Sequence, residues 1–257
     1  MSDPGFLAVT PHAGPTRDLL AAAARRRGMD IVELVAPGTA VALRDRPGGH
    51  FYGGPGLGAA VADDLGVALL EPTDDWLPGL GREFTRRTIH ATTLGEARGL
   101  EGPVFVKPPR DKTFPAAVYG SGEELPDGPD APDELPVLVS EVVDWAAEFR
   151  LFVLDGEIRT GAQYATYGHL EVGPLPHPVQ DFASHLLAEH GDGLPSAVVV
   201  DVGLVDGAWA VVEANMPWFS TVYAADPARA LEVTLRAAGP RAAVRERDRK
   251  FVRTPTA

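Results

Sequence analysis

Along the first seventy residues the hydrophobic pattern switches between strand-like runs and a helical period. GFLAVT (5–10) reads as a strand, and residues 16–28 (TRDLLAAAARRRG) as an Ala-rich helix closed by glycine. MDIVELVA (29–36) reads as a second strand and HFYGG (50–54) as a third. GLGAAVADDLG (56–66) then reads as a short helix and VALLE (67–71) as a fourth strand. Strands separated by helices of this length predict βαβ units and a parallel sheet. The glycines of GGPGLG (53–58) do not have the spacing G-x-G-x-x-G, and no acidic residue stands where that fingerprint needs one. They read as a turn and close packing.

The middle of the chain changes character. Residues 82–89 predict a helix containing the Arg86-Arg87 pair, and Thr93 is placed to cap the short helix LGEARG. PVFVK (103–107) is a strand ending in Lys107, followed by a Pro-punctuated turn, a loop carrying Lys112 and the strand AAVYG (116–120). The acidic, Pro/Gly-rich stretch 120–136 predicts a mobile surface loop. PVLVSEVV (136–143) is a strongly apolar strand. EFRLFVLDGEIRTGAQY (148–164) is a hairpin turning at Asp155-Gly156. Glu148 and Arg150 stand two apart on it and share a face, equally suited to an in-face ion pair and to a ligand.

Residues 165–178 show no period and read as irregular, with a helix of about ten residues after them. Within that helix His185 and Glu189 have the spacing of a metal pair. No third ligand stands nearby, so a solvated helix face is the stronger reading. Residues 226–239 predict an amphipathic helix, and the basic tail is expected to be loosely ordered beyond Arg245.

One stretch concentrates chemistry: VDVGLVDGAWAVVEANMPWFS (200–220). It reads as two strands turning at Asp206-Gly207. Glu213 and Asn215 lie two apart and point the same way, and the hairpin can bring Asp201 onto that surface. Two carboxylates and an amide oxygen form a hard, oxygen-only set that suits Mg²⁺. Asp and Asn also occur at strand ends as turn residues, so the stretch alone leaves both readings open.

Composition narrows the alternatives. The chain of 257 residues is 45% apolar and 23% charged, ordinary for a globular protein with a sizeable core. A net charge of -13 argues against nucleic acid or an anionic membrane as partner. With no cysteine, disulfides, thiolate nucleophiles and Cys-ligated zinc are excluded. No apolar run reaches the roughly 18 residues of a membrane span, and MSDPGFLAVT lacks signal-peptide features, so a cytoplasmic location is expected. Only three of the 23 basic residues are Lys, yet two of these, Lys107 and Lys112, fall in one six-residue window. The chain keeps the compact point charge there although it uses Arg elsewhere. P-loop, nucleophile-elbow, H-E-x-x-H and kinase H-R-D motifs are all absent.

The order that remains is a Lys closing a strand, an apolar strand with a Glu, a Glu/Arg face, then Asp and Glu-x-Asn on a hairpin. That order resembles the ATP-grasp superfamily, through FVKP at Lys107, SEVV followed by EFR (148–150), and DVG…VVEANMP (201–217). The likeness covers about residues 80–238. Arg87, Lys107 and Lys112 are similar to the one-Arg, two-Lys signature of a short, divergent clade. The resemblance implies an α/β fold, α+β in its C-terminal part. A Rossmann-like N-terminal domain over 1–78 would precede an ATP-grasp domain over 79–240, comprising a central and a C-terminal metal-binding subdomain, with a basic tail at 241–257.

It also implies roles. Arg87 and Lys107 would serve the nucleotide, and Lys112 would cover the phosphates and exclude water. Glu141, Val142 and Val143 would form the adenine hinge, and Glu148 would accept from the ribose hydroxyls. Asp201, Glu213 and Asn215 would hold Mg²⁺, in two ions with Mn²⁺ able to substitute, and Arg150 would steady the transferring phosphate. The implied reaction activates a carboxylate as an acyl phosphate and couples it to an amine, so small-molecule or peptide carboxylates and amines are the implied partners. A phosphotransferase and a non-catalytic nucleotide-binding module are the alternatives.

Departures from the family pattern concern the substrate. Val199 stands where many members have an Arg, so Arg150 or Arg159 must supply that charge. PRDKTFPA replaces a glycine-rich loop, and MPWFS replaces a glycine-containing turn. Trp218 is expected to wall the substrate site, with Ser220, Tyr223, Tyr52 and His50 as further substrate contacts.

Overall fold

The computed structural model describes residues 5–11, 14–36, 38–109 and 113–254. Lys112 lies outside the described residues. The chain begins with β1 (Phe6–Val9), α1 (Gly14–Arg26), β2 (Asp30–Glu33), α2 (Gly38–Val41), β3 (Gly49–Tyr52), α3 (Pro55–Val61) and β4 (Val67–Leu69). β1 pairs parallel with both β2 and β3, as the βαβ pattern requires. Its four residues are all buried, which is why FLAV shows no alternation. β4 does not join this sheet: it pairs antiparallel with a strand from near the C-terminus. Two of the glycines of 53–58 are packing residues: a Cβ on Gly53 would meet the Thr10 side chain at 2.4 Å, and one on Gly58, inside α3, the Phe51 ring at 2.9 Å.

Next come α4 (Arg82–Thr85), β5 (Ile89–Thr93), α5 (Leu94–Arg98), β6 (Val104–Lys107), β7 (Ala117–Tyr119) and β8 (Pro136–Ser140). The four strands form an antiparallel sheet in the order β5-β8-β6-β7. The helix expected over 82–89 is only one turn long. Arg86 takes a left-handed conformation (φ 53°), and Ile89 starts the edge strand. The stretch 120–136 is pinned rather than mobile. Gly122 packs onto the carbonyls of Ala97 and Arg98, Leu125 and Ala131 are buried, and Arg98 donates to the carbonyls of Pro126 and Ala131.

The remaining elements are β9 (Ala147–Leu154), β10 (Glu157–Thr166), β11 (His169–Gly173), α6 (His177–His190), β12 (Ala197–Val205), β13 (Ala208–Asn215), α7 (Pro227–Ala237) and β14 (Ala238–Pro240). An antiparallel sheet orders the strands β11-β10-β9-β12-β13. Both Asp-Gly turns have positive φ at both positions: Asp155 54° and Gly156 82°, Asp206 49° and Gly207 74°. The region read as irregular forms a third tight hairpin, turning at Tyr167 (φ 46°) and Gly168 (φ 74°). Its apolar residues face out, so no core-facing alternation marks it.

Side-chain alternation splits the five-stranded sheet between two cores. Phe149, Leu151 and Val153 face α6 together with Val198, Val200 and Val202. On the other face, Phe152 and Val199 join Phe6, Phe51, Trp218 and Leu231 beneath the N-terminal sheet and α7. The four-stranded sheet has its own core of Leu94, Val106, Val137 and Val139. The tail is built into the fold rather than loose. Asp248 is buried and accepts from the Ser196 backbone N–H at 2.7 Å and hydroxyl at 2.6 Å, Phe251 is buried, and Val252 bridges to Leu70.

Candidate functional site

The two antiparallel sheets meet over a slot of about 520 Å³, mouth included. Phe105, Val118 and Leu138 line one side, Val212 and Trp145 the other, and residues 141–143 close the end. β8 stops at Ser140; the Glu141 N–H still donates to the Thr88 carbonyl at 3.1 Å, and beyond it Val142 and Val143 leave the sheet with backbone groups not committed to a strand ladder. The Glu141 carboxylate faces away to Arg82 and Thr88, accepting from the Thr88 N–H at 2.9 Å and from Arg82 at 3.1 Å. Those hydrogen bonds, the Thr88 backbone bond first, hold its pKa below the ordinary value. Its side chain fixes the chain while its backbone borders the slot.

Trp145 lies flat on β12 because residue 203 is glycine: a Cβ there would stand 2.3 Å from the indole. Arg87 crosses the Trp145 ring at 5.0 Å and donates to the carbonyls of Val211 and Val212 at 2.7 and 2.9 Å. Burial lowers its pKa to about 10, partly offset by the charge of Glu213. Arg87 therefore braces β13 and lines the slot at once.

The slot ends at an ion pair. Lys107, closing β6, sits 2.5 Å from Glu213 on β13, so one contact ties the two sheets together. Asp201 is opposite Glu213 in register, with an irregularity immediately after it that leaves Val212 unpaired and directed to the slot. The Asn215 amide donates to Glu213 at 2.7 Å and to Asp201 at 3.3 Å. Arg150 holds Asp201 through a two-pronged contact of 2.9 and 2.7 Å. Burial opposes ionisation of Glu213, but the charge and hydrogen bond of Lys107, with Asn215, hold its pKa at about 2. Asp201 is fully buried, which pushes its carboxyl up against the pull of Arg150. Burial alone would lower Arg150, and the Asp201 charge raises it instead.

Lys107, Arg150, Glu213 and Asn215 also line a wider cleft of about 2020 Å³ including its mouth, with Tyr52, Met216, Phe219, Ser220 and Tyr223, and Asp201 is buried behind them. Arg150 lies over the rings of Tyr164 and Tyr223, 5.4 and 5.5 Å from their centroids, and those rings stack 5.2 Å apart. The Tyr164 hydroxyl donates to Glu148 at 2.7 Å. Burial raises the Glu148 pKa, with Asp201 and Glu213 adding to the rise.

Lys107, Glu148, Arg150, Asp201, Glu213 and Asn215 are thus brought together, with Tyr52, Ser220 and Tyr223 on the adjoining cleft. Two expected contacts are elsewhere. Trp218 is fully buried, donates to the Leu70 carbonyl at 2.8 Å and packs on Phe51, so it supports the core instead of walling the cleft. His50 faces α7, its Nδ1 2.9 Å from the Leu235 carbonyl oxygen, with its pKa lowered by burial. His185 and Glu189 form an exposed pair at 3.2 Å, a solvated helix face. Trp145 and Tyr164 are additions. Tyr164 sits at a register shift between β10 and its neighbours, which a period-2 reading of the hairpin does not reveal.

Residues 84–233 match a family model of the ATP-grasp domain, the second family of the clade named for one Arg and two Lys. The chain belongs to that family. Among solved structures it is similar to a D-alanine–D-alanine ligase from Bacillus anthracis, with a TM-score of 0.53 and 11% identity over 91% of this chain and 96% of the other. A structure of that ligase complexed with ATP matches at TM-score 0.53 and 12% identity, over 91% and 96% of the two chains. A RimK domain ATP-grasp protein from Sphaerobacter thermophilus matches at TM-score 0.51 and 16% identity, over 90% and 99%. At these identities the likeness establishes the fold. No curated protein matches the sequence. No helix among the described residues is long and apolar enough to cross a membrane.

Proposed function

We propose that this ATP-grasp protein is an ADP-forming ligase that activates a carboxylate with Mg·ATP and couples it to an amine. The observation that carries the reading is one juxtaposition. An apolar slot ends at Lys107 and Glu213, and a wider cleft begins at the same two residues beside Asp201, Asn215 and Arg150. A flat aromatic base with a charged tail fits such a two-part site. The slot would receive adenine against residues 141–143, Glu148 would accept from ribose, and Lys107 and Arg87 would serve the nucleotide end, with Lys112 over the phosphates. We read residues 1–78 as a Rossmann-like domain, 79–240 as the ATP-grasp domain and 241–257 as a tail.

Asp201, Glu213 and the Asn215 amide oxygen would hold Mg²⁺. The fit rests on their chemistry: hard oxygen donors, one carboxylate kept ionised to about pH 2, and Lys107, Arg150 and the Asn215 amide already drawn to the pair. Among the described residues no group of three His, Cys, Asp or Glu side chains could hold a metal, so the amide is needed to complete the set. Bound there, the ion would neutralise phosphate charge.

Lys107 and Arg150 orient the phosphates toward the cleft, and the aromatic pair under Arg150 limits its movement. A substrate carboxylate oxygen bonds to the γ-phosphorus as the bond to ADP breaks, giving an acyl phosphate. The amine nitrogen then bonds to the acyl carbon, phosphate departs and the nitrogen loses a proton. No protein nucleophile is needed, in keeping with a cysteine-free chain. Such chemistry uses cytoplasmic ATP, and we assign the protein to that compartment.

The test is ADP release with Mg²⁺ across amino acids and short peptides, with mass spectrometry of products. Condensation with loss of water is expected, whereas gain of one phosphate indicates a phosphotransferase. Glu213→Ala should lower turnover at least about 10²-fold while the fold persists. Unchanged turnover in that variant overturns the assignment.

A further inference from the structure

We infer, resting on the nucleotide site proposed above, that Tyr164 is a positioning residue. It fixes Glu148 and Arg150 together and thereby sets how strictly the site selects the nucleotide's sugar. β10 carries one residue too many here for its neighbour β9. Gln163 is opposite Phe149 and Ala165 is opposite Glu148, so β10 advances two residues while β9 advances one. Tyr164 is the extra residue of that bulge, and the register with β11 shifts at the same place. A bulge re-aims a side chain, and bulges are over-represented beside active sites. Here the ring is aimed at Arg150, whose guanidinium carbon is 5.4 Å from its centroid. Tyr223 backs the ring, stacked 5.2 Å away with 15° between the planes. Tyr223 itself has φ 51°, a left-handed backbone that a bulky residue adopts at a cost and that clusters at functional sites.

The hydroxyl of the same side chain acts on Glu148, donating to its Oε2 at 2.7 Å. Burial, with the charges of Asp201 and Glu148, pushes the Tyr164 phenol far up, so it stays a donor. With Oε2 held, Glu148 cannot swing freely, and Oε1 is the oxygen left for a sugar hydroxyl. Arg150 is fixed on two sides, its edge by Asp201 and its plane by the Tyr164 ring. Ring and hydroxyl thus serve different ends of a ribose triphosphate, and substitution can separate them.

The experiment is calorimetric titration, in Mg²⁺, with a non-hydrolysable ATP analogue, its 2′,3′-dideoxy form and adenosine. The native chain should bind the analogue at least about tenfold more tightly than the dideoxy form. Tyr164→Phe keeps the ring and removes the donor. It should reduce that ratio to below about threefold and leave the dideoxy affinity unchanged. Tyr164→Leu removes the ring as well, and the affinity gained from adenosine to the analogue should shrink about tenfold, whereas Tyr164→Phe retains it. A tyrosine that only fills space would weaken every ligand alike. A native ratio kept in Tyr164→Phe, or an equal loss for both sugars, overturns the role, and so does an undiminished phosphate gain in Tyr164→Leu. If Tyr164→Leu does not fold, the near-isosteric Tyr164→Phe decides alone. Nucleotide binding by the native chain without a sugar preference overturns this role only. A native chain that binds no adenine nucleotide overturns the function proposed above as well.

Discussion

Glu213 answers to two surroundings: partial burial that disfavours its charge, and Lys107 and Asn215 that favour it. The second prevails, and its pKa falls from 4.5 to about 2. A carboxyl depressed on folding stabilises the protein above its unfolded pKa, and that contribution is lost as pH falls toward the folded value. Denaturant unfolding should therefore lose stability between pH 5 and about pH 3 more steeply in the native chain than in Glu213→Gln. Identical slopes would remove the Lys107 pair as the cause. The charged and amide groups gathered here, Lys107, Glu148, Arg150, Asp201, Glu213 and Asn215, could be picked out from residue type and spacing. Trp218 could not be assigned that way. An aromatic next to a metal-type motif suits a substrate wall and a core equally, and only the Leu70 carbonyl and the Phe51 ring decide for the core.

At the scale of elements, two strand irregularities shape the site. One follows Asp201 and turns Val212 toward the slot, and the other brings Tyr164 under Arg150. Neither has a local signature, because a bulge depends on which strand lies alongside and in what register. Gly203 belongs at this scale as well, since it keeps β12 clear for Trp145 and hence for Arg87. Gly203→Ala must displace the indole. We expect ATP to bind about tenfold more weakly, or about 1.4 kcal/mol, with the β-sheet circular dichroism retained. Calorimetric titration with a non-hydrolysable ATP analogue measures this, and native affinity would release Trp145 from its role. The Asp-Gly hairpins, by contrast, were legible, because their positive-φ turns demand those residue types.

At the scale of the whole molecule, the C-terminal segment is sewn into distant parts of the fold. β14 pairs with β4, Arg253 pairs with Glu71 at 2.9 Å where both are nearly buried, and Asp248 satisfies Ser196 at the start of β12. Removing residues 246–257 takes away the buried Phe251 and leaves the Ser196 groups without their acceptor. A loss of at least about 3 kcal/mol is expected from denaturant unfolding, from one large apolar side chain and the buried hydrogen bonds. A truncated chain as stable as the full one would return the tail to the loose segment that its charge suggests.

Local steric and chemical rules act within a few residues. The βαβ start, the tight turns and the residue types of an oxygen-rich, lysine-gated site are therefore written in the chain itself. Family membership was legible for the same reason: its motifs are short and keep their order. Relations between distant segments had to wait for the packed molecule. These are the partner of β4, the anchoring of the tail and the 120–136 stretch, and the burial of Trp218. Each depends on which surface arrives to cover a residue, and hydrophobic burial is non-directional and carries no record of that partner in local sequence.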